Sequence, residues 1–226
     1  MTKVQIYTIQ SVNEALGLVE LGVDHLGITP ANRGLPGEIN INTARSICEA
    51  VEGELVTVAL SVESNQNKIL SMVKEVRPQI LHLCGPKGSI TPEFIIDLRA
   101  KLYKNNLDIE IMQAISIVGP ESIDVARSYS EIVEYLILDT QSEDVYGIGA
   151  SGVTHDWSIS KKIVEAIDIP VILAGGLSPE NVSEAIAHVI PWGVDSLTHT
   201  NEPIEGGGFR KDLDKVKNFV SASRQA

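Results

Sequence analysis

The stretch V-E-Y-L-I-L-D (133–139), followed at a distance by G-A-S-G-V-T-H-D-W (149–157), decides how this chain is read. Val133–Leu138 is an apolar run of strand length that ends on an acid, Asp139, and delivers it into a long glycine-containing loop. Beyond the loop, Ser158–Ala166 carries apolar residues at helical spacing, and Pro170–Ala174 is again a short strand run. Strand, loop, helix, strand is the unit of a parallel sheet, in which functional groups collect where strands end.

Outward from this unit the same alternation recurs eight times. The strand runs are Lys3–Thr8, Val23–Ile28, Leu55–Ser61, Gln79–Leu83, Asp108–Ala114, Val133–Leu138, Pro170–Ala174 and Gly193–Leu197. Helical spacing fills the intervals at Val12–Glu20, Thr43–Val51, Asn67–Val76, Pro92–Tyr103, Pro120–Ser128, Ser158–Ala166, Pro179–Ala187 and Lys211–Ser221. Ser11, Thr91 and Ser178 stand at N-cap positions, the last two before a proline at the first helical position. Eight β/α units in 226 residues predict a (β/α)8 TIM barrel, one domain over 1–226. A doubly wound open sheet usually has fewer strands and a glycine-rich first turn. The first turn here, Thr8–Ser11, has no glycine, so no dinucleotide fingerprint exists and no cofactor is implied.

Composition narrows the partners. Hydrophobic residues make up 43% and charged residues 21%, an ordinary globular balance. No apolar run approaches the ~20 residues of a membrane helix, and the N-terminus lacks a signal peptide's apolar core. Cys48 and Cys84 form no C-x-x-C pair, which fits a reducing cytoplasm. A net charge of −12 argues against nucleic acid, whose binding needs clustered Lys and Arg. An anionic substrate must therefore be held locally, by backbone N–H groups and helix N-termini.

At the strand ends stand Tyr7, His82, Cys84, Asp139, Gly175 and Gly176, and Thr198. Strand seven ends L-A-G-G-L-S-P-E-N-V (173–182). Its two glycines allow close backbone approach to an anion, with the following helix turning its positive end toward it. Gly175 and Gly176 are therefore expected at a phosphate, with Thr198 at the end of strand eight beside them. No histidine or cysteine spacing signals a metal site.

Together these pieces resemble the phosphoribosylanthranilate isomerases of tryptophan biosynthesis. The matching motifs are L-x-L-D (136–139), G-A-S-G-V-T-H-D-W-S (149–158), L-A-G-G-L-S-P-E-N-V-x-x-A-I (173–186), G-V-D (193–195) and G-F-R-K-D-L-D-K-V-K-N-F (208–219). The resemblance implies an Amadori rearrangement, in which an acid opens an aldosylamine ring and a base removes the C2 proton. It puts Asp139 in the acid's place, Arg33 at the anthranilate carboxylate, and Gly149, Ser151 and Gly152 against the substrate.

The chain departs from the family at the base. The strand-one motif K-I-C-G reads Q-I-Y-T (5–8), so Tyr7 stands where a cysteine is expected. An unperturbed phenol titrates near 10, so Tyr7 suits hydrogen bonding or stacking better than proton removal. On strand four Q-L-H-G reads H-L-C-G (82–85), which places His82 and Cys84 on one face. His82 becomes a substitute proton carrier and Cys84 a substrate contact. On strand eight D-V-S-S-G-V-E reads D-S-L-T-H-T-N (195–201), leaving one hydroxyl, Thr198, with His199 beside it. Asp195 is read as organising the barrel floor. Two functions follow: an aldose–ketose isomerase acting on a phosphorylated sugar, which the retained Asp139 favours, or a silent barrel binding a phosphorylated metabolite or a protein. A homodimer is compatible with either.

Overall fold

The computed structural model describes residues 1–86, 88–140 and 154–226. Eight parallel strands close into a barrel: β1 (Lys3–Ile6), β2 (His25–Ile28), β3 (Val56–Ser61), β4 (Ile80–Leu83), β5 (Glu110–Ser116), β6 (Tyr135–Asp139), β7 (Val171–Leu173) and β8 (Gly193–Ser196). They pair in sequence order, and β8 returns to β1 with Gln5 beside Asp195 and Ile6 beside Ser196. The helices are α1 (Val12–Glu20), α2 (Ile41–Ala50), α3 (Gln66–Val76), α4 (Pro92–Lys104), α5 (Ser122–Ser130), α6 (Trp157–Ala166), α7 (Val182–Val189) and α8 (Leu213–Gln225). Among the described residues, no helix is long and apolar enough to cross a membrane.

Period-2 alternation along each strand divides the apolar residues into two cores. Val4 and Ile6 face outward into the layer shared with the helices, where Leu18, Ile47, Ile69, Ile95, Ile163 and Phe219 are fully buried. Each such side chain contributes roughly 1.5–3 kcal/mol of burial free energy. Tyr7 faces inward with Val58, Ile80, Cys84, Met112, Ile137 and Ile172, filling the barrel itself. The inner core is thus a packed plug whose upper end forms a floor for chemistry.

Helix starts follow the caps. Ser11 accepts from Glu14 N at 3.2 Å, Thr91 from Phe94 N at 3.2 Å, and Asp156 from Ser158 N at 2.9 Å. Ser178 differs from expectation. Its Oγ accepts from Glu180 N at 3.2 Å, its N–H donates to Asn181 Oδ1 at 2.8 Å, and α7 begins only at Val182. Gly175 and Gly176 both have positive φ (81° and 64°), and Asn181 donates back to Gly176 O at 3.0 Å. A side-chain-closed turn therefore occupies the place expected for the first turn of the helix, and the glycine pair is not followed directly by a helix N-terminus. A second feature not foreseen is the hairpin of β9 (Asn201–Pro203) and β10 (Phe209–Lys211), antiparallel and inserted between β8 and α8.

Candidate active site

Tyr7, Leu60, His82, Ile137, Asp139 and Asp195 meet at the C-terminal mouth of the barrel, around a cavity of about 70 Å³. Gly175, Gly176, Thr198 and His199 complete its wall. A water takes up ~30 Å³, so this space suits the reacting end of a ligand rather than a whole phosphosugar. A larger groove of about 950 Å³ runs along α4 at the opposite end of the barrel. Its Arg99 and Glu134 are paired with each other at 2.8 Å. Tyr7, His82, Asp139 and Asp195 gather at the small cavity, which makes it the candidate site.

Asp139 terminates β6. Its surface is only half-buried, yet the barrel mouth surrounds the carboxyl, and this desolvation raises it to about 7. One hydrogen bond, from Thr140 N at 2.6 Å, works in the other direction. Gly175 explains how the chain passes so close. A Cβ there would lie 2.7 Å from Thr140 Oγ1, 3.0 Å from His155 Nδ1 and 3.2 Å from Asp139 Oδ1, and its φ is +81°. The glycine pair therefore serves the approach to Asp139 as well as any approach to an anion.

Tyr7 is buried, and its hydroxyl lies 2.7 Å from His82 Nδ1 with the rings edge to face. Burial, then the charges of Asp195 and Cys84, hold the phenol well above its ordinary range, so Tyr7 is a neutral donor and not a base. With Tyr7 donating, His82 carries its proton on Nε2, an assignment made from the hydrogen-bond network. Burial lowers His82 to about 3, which keeps it neutral, and Nε2 has no partner among the described residues. The Tyr7 ring lies over Gly27 of β2, where a Cβ would come within 2.5 Å of it. Cys84 is buried in the inner core with Tyr7.

Asp195, read from sequence as organising the barrel floor or loop, also reaches the cavity. It is buried, lines the cavity, and accepts from Gln5 Nε2 at 3.1 Å. Desolvation pushes it up to about 8. The Gln5 hydrogen bond opposes this, the charge of Asp139 adds to it, and Lys211 works against it. Lys211 was also missed. It is buried, with Nζ donating to Asn201 Oδ1 at 2.6 Å, Leu197 O at 3.0 Å and Thr200 Oγ1 at 3.2 Å, and burial lowers it to about 7. It thereby ties down the segment that presents Thr198 and His199, both exposed at the cavity rim. Sequence periodicity made it the first residue of the last helix, Lys211–Ser221, whereas it ends β10 and α8 begins at Leu213. The one sequence signal was its odd-position alternation with Phe209 on a short strand.

Arg33 does not line the cavity. Its guanidinium meets Glu63 Oε1 at 3.0 Å, on the loop after β3. Gly149, Ser151 and Gly152 lie outside the described residues.

The model of the N-(5'phosphoribosyl)anthranilate (PRA) isomerase family matches residues 4–222. N-(5'-phosphoribosyl)anthranilate isomerase of Methanocella arvoryzae is 30% identical over 224 residues, covering 99% of each chain. The crystal structure of phosphoribosyl anthranilate isomerase from Thermotoga maritima superposes with a TM-score of 0.80 at 27% identity, covering 100% of both chains. A second solved phosphoribosyl anthranilate isomerase holds reduced 1-(o-carboxyphenylamino)-1-deoxyribulose 5-phosphate, and aligns at 25% identity over 100% of both chains with a TM-score of 0.77. The chain belongs to the PRA isomerase family.

Proposed function

We propose that this protein isomerises N-(5'-phosphoribosyl)anthranilate to the corresponding ketose amine. The observation that carries the reading is Asp139, raised to about 7 by its surroundings at the cavity of a family member. A carboxyl still protonated near neutral pH can give its proton to the ring oxygen as the C1–O bond breaks. The amine lone pair then forms the C1=N bond, which acidifies the C2 proton.

In this reading Tyr7 and His82 position rather than abstract: neutral His82 directs Nε2–H at a substrate oxygen. Gly175, Gly176, Thr198 and His199 receive the phosphate, with Gly149, Ser151, Gly152 and Cys84 contacting the substrate. Arg33 exchanges Glu63 for the anthranilate carboxylate. Residues 1–226 act as one domain, with neither metal nor organic cofactor, in the cytoplasm. The test is turnover of phosphoribosylanthranilate, followed by loss of anthranilate-ring fluorescence. Asp139→Asn should lower kcat at least ~100-fold, the usual contribution of a general acid. Unchanged turnover in that variant removes Asp139 from the mechanism.

Assembly as a homodimer belongs to the same proposal. The groove along α4 carries exposed Ile96 and Tyr103, apolar surface that a second copy would cover. Light scattering should give twice the chain mass, and a monomer at all concentrations would remove the dimer from the proposal.

A further inference from the structure

We propose that Asp195 is a second catalytic carboxyl of this site, paired with Asp139, and that Gln5 and His25 are its positioning residues. The inference deepens the isomerase reading above and rests on it. Asp195 and Asp139 line the same cavity from β8 and β6. Among the described residues Asp195 forms no ion pair, and its side-chain hydrogen bond comes from a neutral amide, Gln5 Nε2 at 3.1 Å. The nearest cation, Lys211, spends its Nζ on Leu197 O, Thr200 Oγ1 and Asn201 Oδ1. Burying an acid this way is costly and is characteristic of functional sites.

The support beneath Asp195 is built in register. Gln5 pairs with Asp195 across β1–β8 and with His25 across β1–β2. Their side chains continue the ladder: His25 Nδ1 lies 3.3 Å from Gln5 Oε1, and Gln5 Nε2 donates to Asp195. Burial holds His25 neutral, at about 4, so its Nδ1–H can donate without bringing a charge. The chain His25–Gln5–Asp195 fixes the amide with its N–H toward the carboxyl. The groups facing Asp195 are thus Gln5 from β1 and Tyr7 just past it, Asp139 from β6 and Lys211 from β10, with His82 and His199 on the same cavity wall.

Two like charges in one dry cavity do not both ionise readily, so the pair carries one proton between them over a range of neutral pH. The reacting microstate has that proton on Asp139 and leaves Asp195 ionised, the form that the N–H donated by Gln5 favours. Asp139 gives its proton to the ring oxygen as the C1–O bond breaks. Asp195 takes the C2 proton, and the C2–H electron pair becomes the C1=C2 bond of the enolamine while the C1=N electrons return to nitrogen. The carboxyl pair ends this step with the one proton it began with. Tyr7, whose phenol stays protonated, is relieved of the role of base.

The experiment uses the full chain and three variants. Asp195→Asn keeps an acceptor for Gln5 and should lower kcat at least ~100-fold with KM changed less than about threefold. The kcat/KM–pH profile of the wild type should be a bell whose two limbs belong to the pair. In Gln5→Leu the lost donor disfavours ionised Asp195, so the acidic limb should move to higher pH. Asp Cγ signals in ¹³C NMR supply a readout independent of turnover. One that titrates above about pH 6, outside the ordinary Asp range, should vanish in Asp195→Asn and move to lower pH in Asp139→Asn. Asp195→Asn turning over like wild type, or no such signal, overturns the inference while leaving the isomerase reading intact. Wild-type protein that fails to turn over phosphoribosylanthranilate overturns that reading instead, whatever the NMR shows.

Discussion

Thr8 sits at φ +62°, in the left-handed region that a β-branched residue adopts only under strain. It follows Tyr7 directly, is buried, and turns its Oγ1 back to Tyr7 O at 2.6 Å. The chain needs this twist because Tyr7 ends the first strand facing inward, and Ile9 must then bond back to Gly27 O at 3.0 Å. A stability comparison isolates the conformational cost. Thr8→Gly should be more stable than Thr8→Ala by about 1 kcal/mol, because both lose the side chain and only glycine loses the strain. Urea unfolding curves decide the order, and alanine above glycine would mean that φ is not what limits the site. Sequence reading reached Tyr7 and His82 as site residues, but neither their contact nor Gly27. Gly27, which leaves room for the ring, and His82, which receives its hydroxyl, lie on other strands at spacings that carry no local signal.

The late hairpin acts at the scale of elements. β10 brings Lys211 beneath the segment Leu197–Asn201, and Lys211 N also donates to Glu14 Oε1 at 3.0 Å, while Glu14 Oε2 accepts from Gln10 N at 2.7 Å. The first loop, the strand-eight loop and the start of α8 are thereby joined on one side of the mouth. Lys211→Met preserves length but strands three acceptors, at about 1–3 kcal/mol for buried polar groups left unpaired. The rim residues Thr198 and His199 then lose their support. KM for the phosphosugar and the inhibition constant of inorganic phosphate should both rise about tenfold, with kcat changed less. An unaltered phosphate constant would detach this segment from phosphate binding. Strand and helix positions were legible from periodicity to within a few residues, as at α1 and β8. The hairpin was not, because three-residue strands fall below the length at which alternation stands out.

For the whole molecule, pH is the lever, since its buried titratable groups pull in opposite directions. Asp139 and Asp195 have folded pKa values above their unfolded ones, at about 7 and about 8. The folded state therefore binds more protons than the unfolded state from about pH 4 upward, and stability contributed by these two carboxyls falls as pH rises toward 8. His25, His82 and His155 are lowered to about 4, about 3 and about 4, so their contribution is lost as pH falls below 6.5. Removing one carboxyl unbalances the sum in a known direction. The Tm of Asp195→Asn minus that of wild type should increase steadily between pH 4 and pH 8. A difference that is flat across that window would mean that Asp195 keeps an ordinary pKa in the folded protein.

Periodicity, caps and strand-end motifs by themselves determined the (β/α)8 order and put Asp139 at a strand end, and comparison with the family's motifs exposed the missing strand-one cysteine. These are local properties, written in residues a few positions apart. Only the tertiary structure decided the surroundings of Asp195, Gln5, His25 and Lys211. Their protonation and partners depend on desolvation and on register between strands as distant in sequence as β1 and β8, which share a wall only once the barrel has closed. Asp139 of the unit at 133–139 and Asp195 of the barrel's last strand line one cavity for that reason.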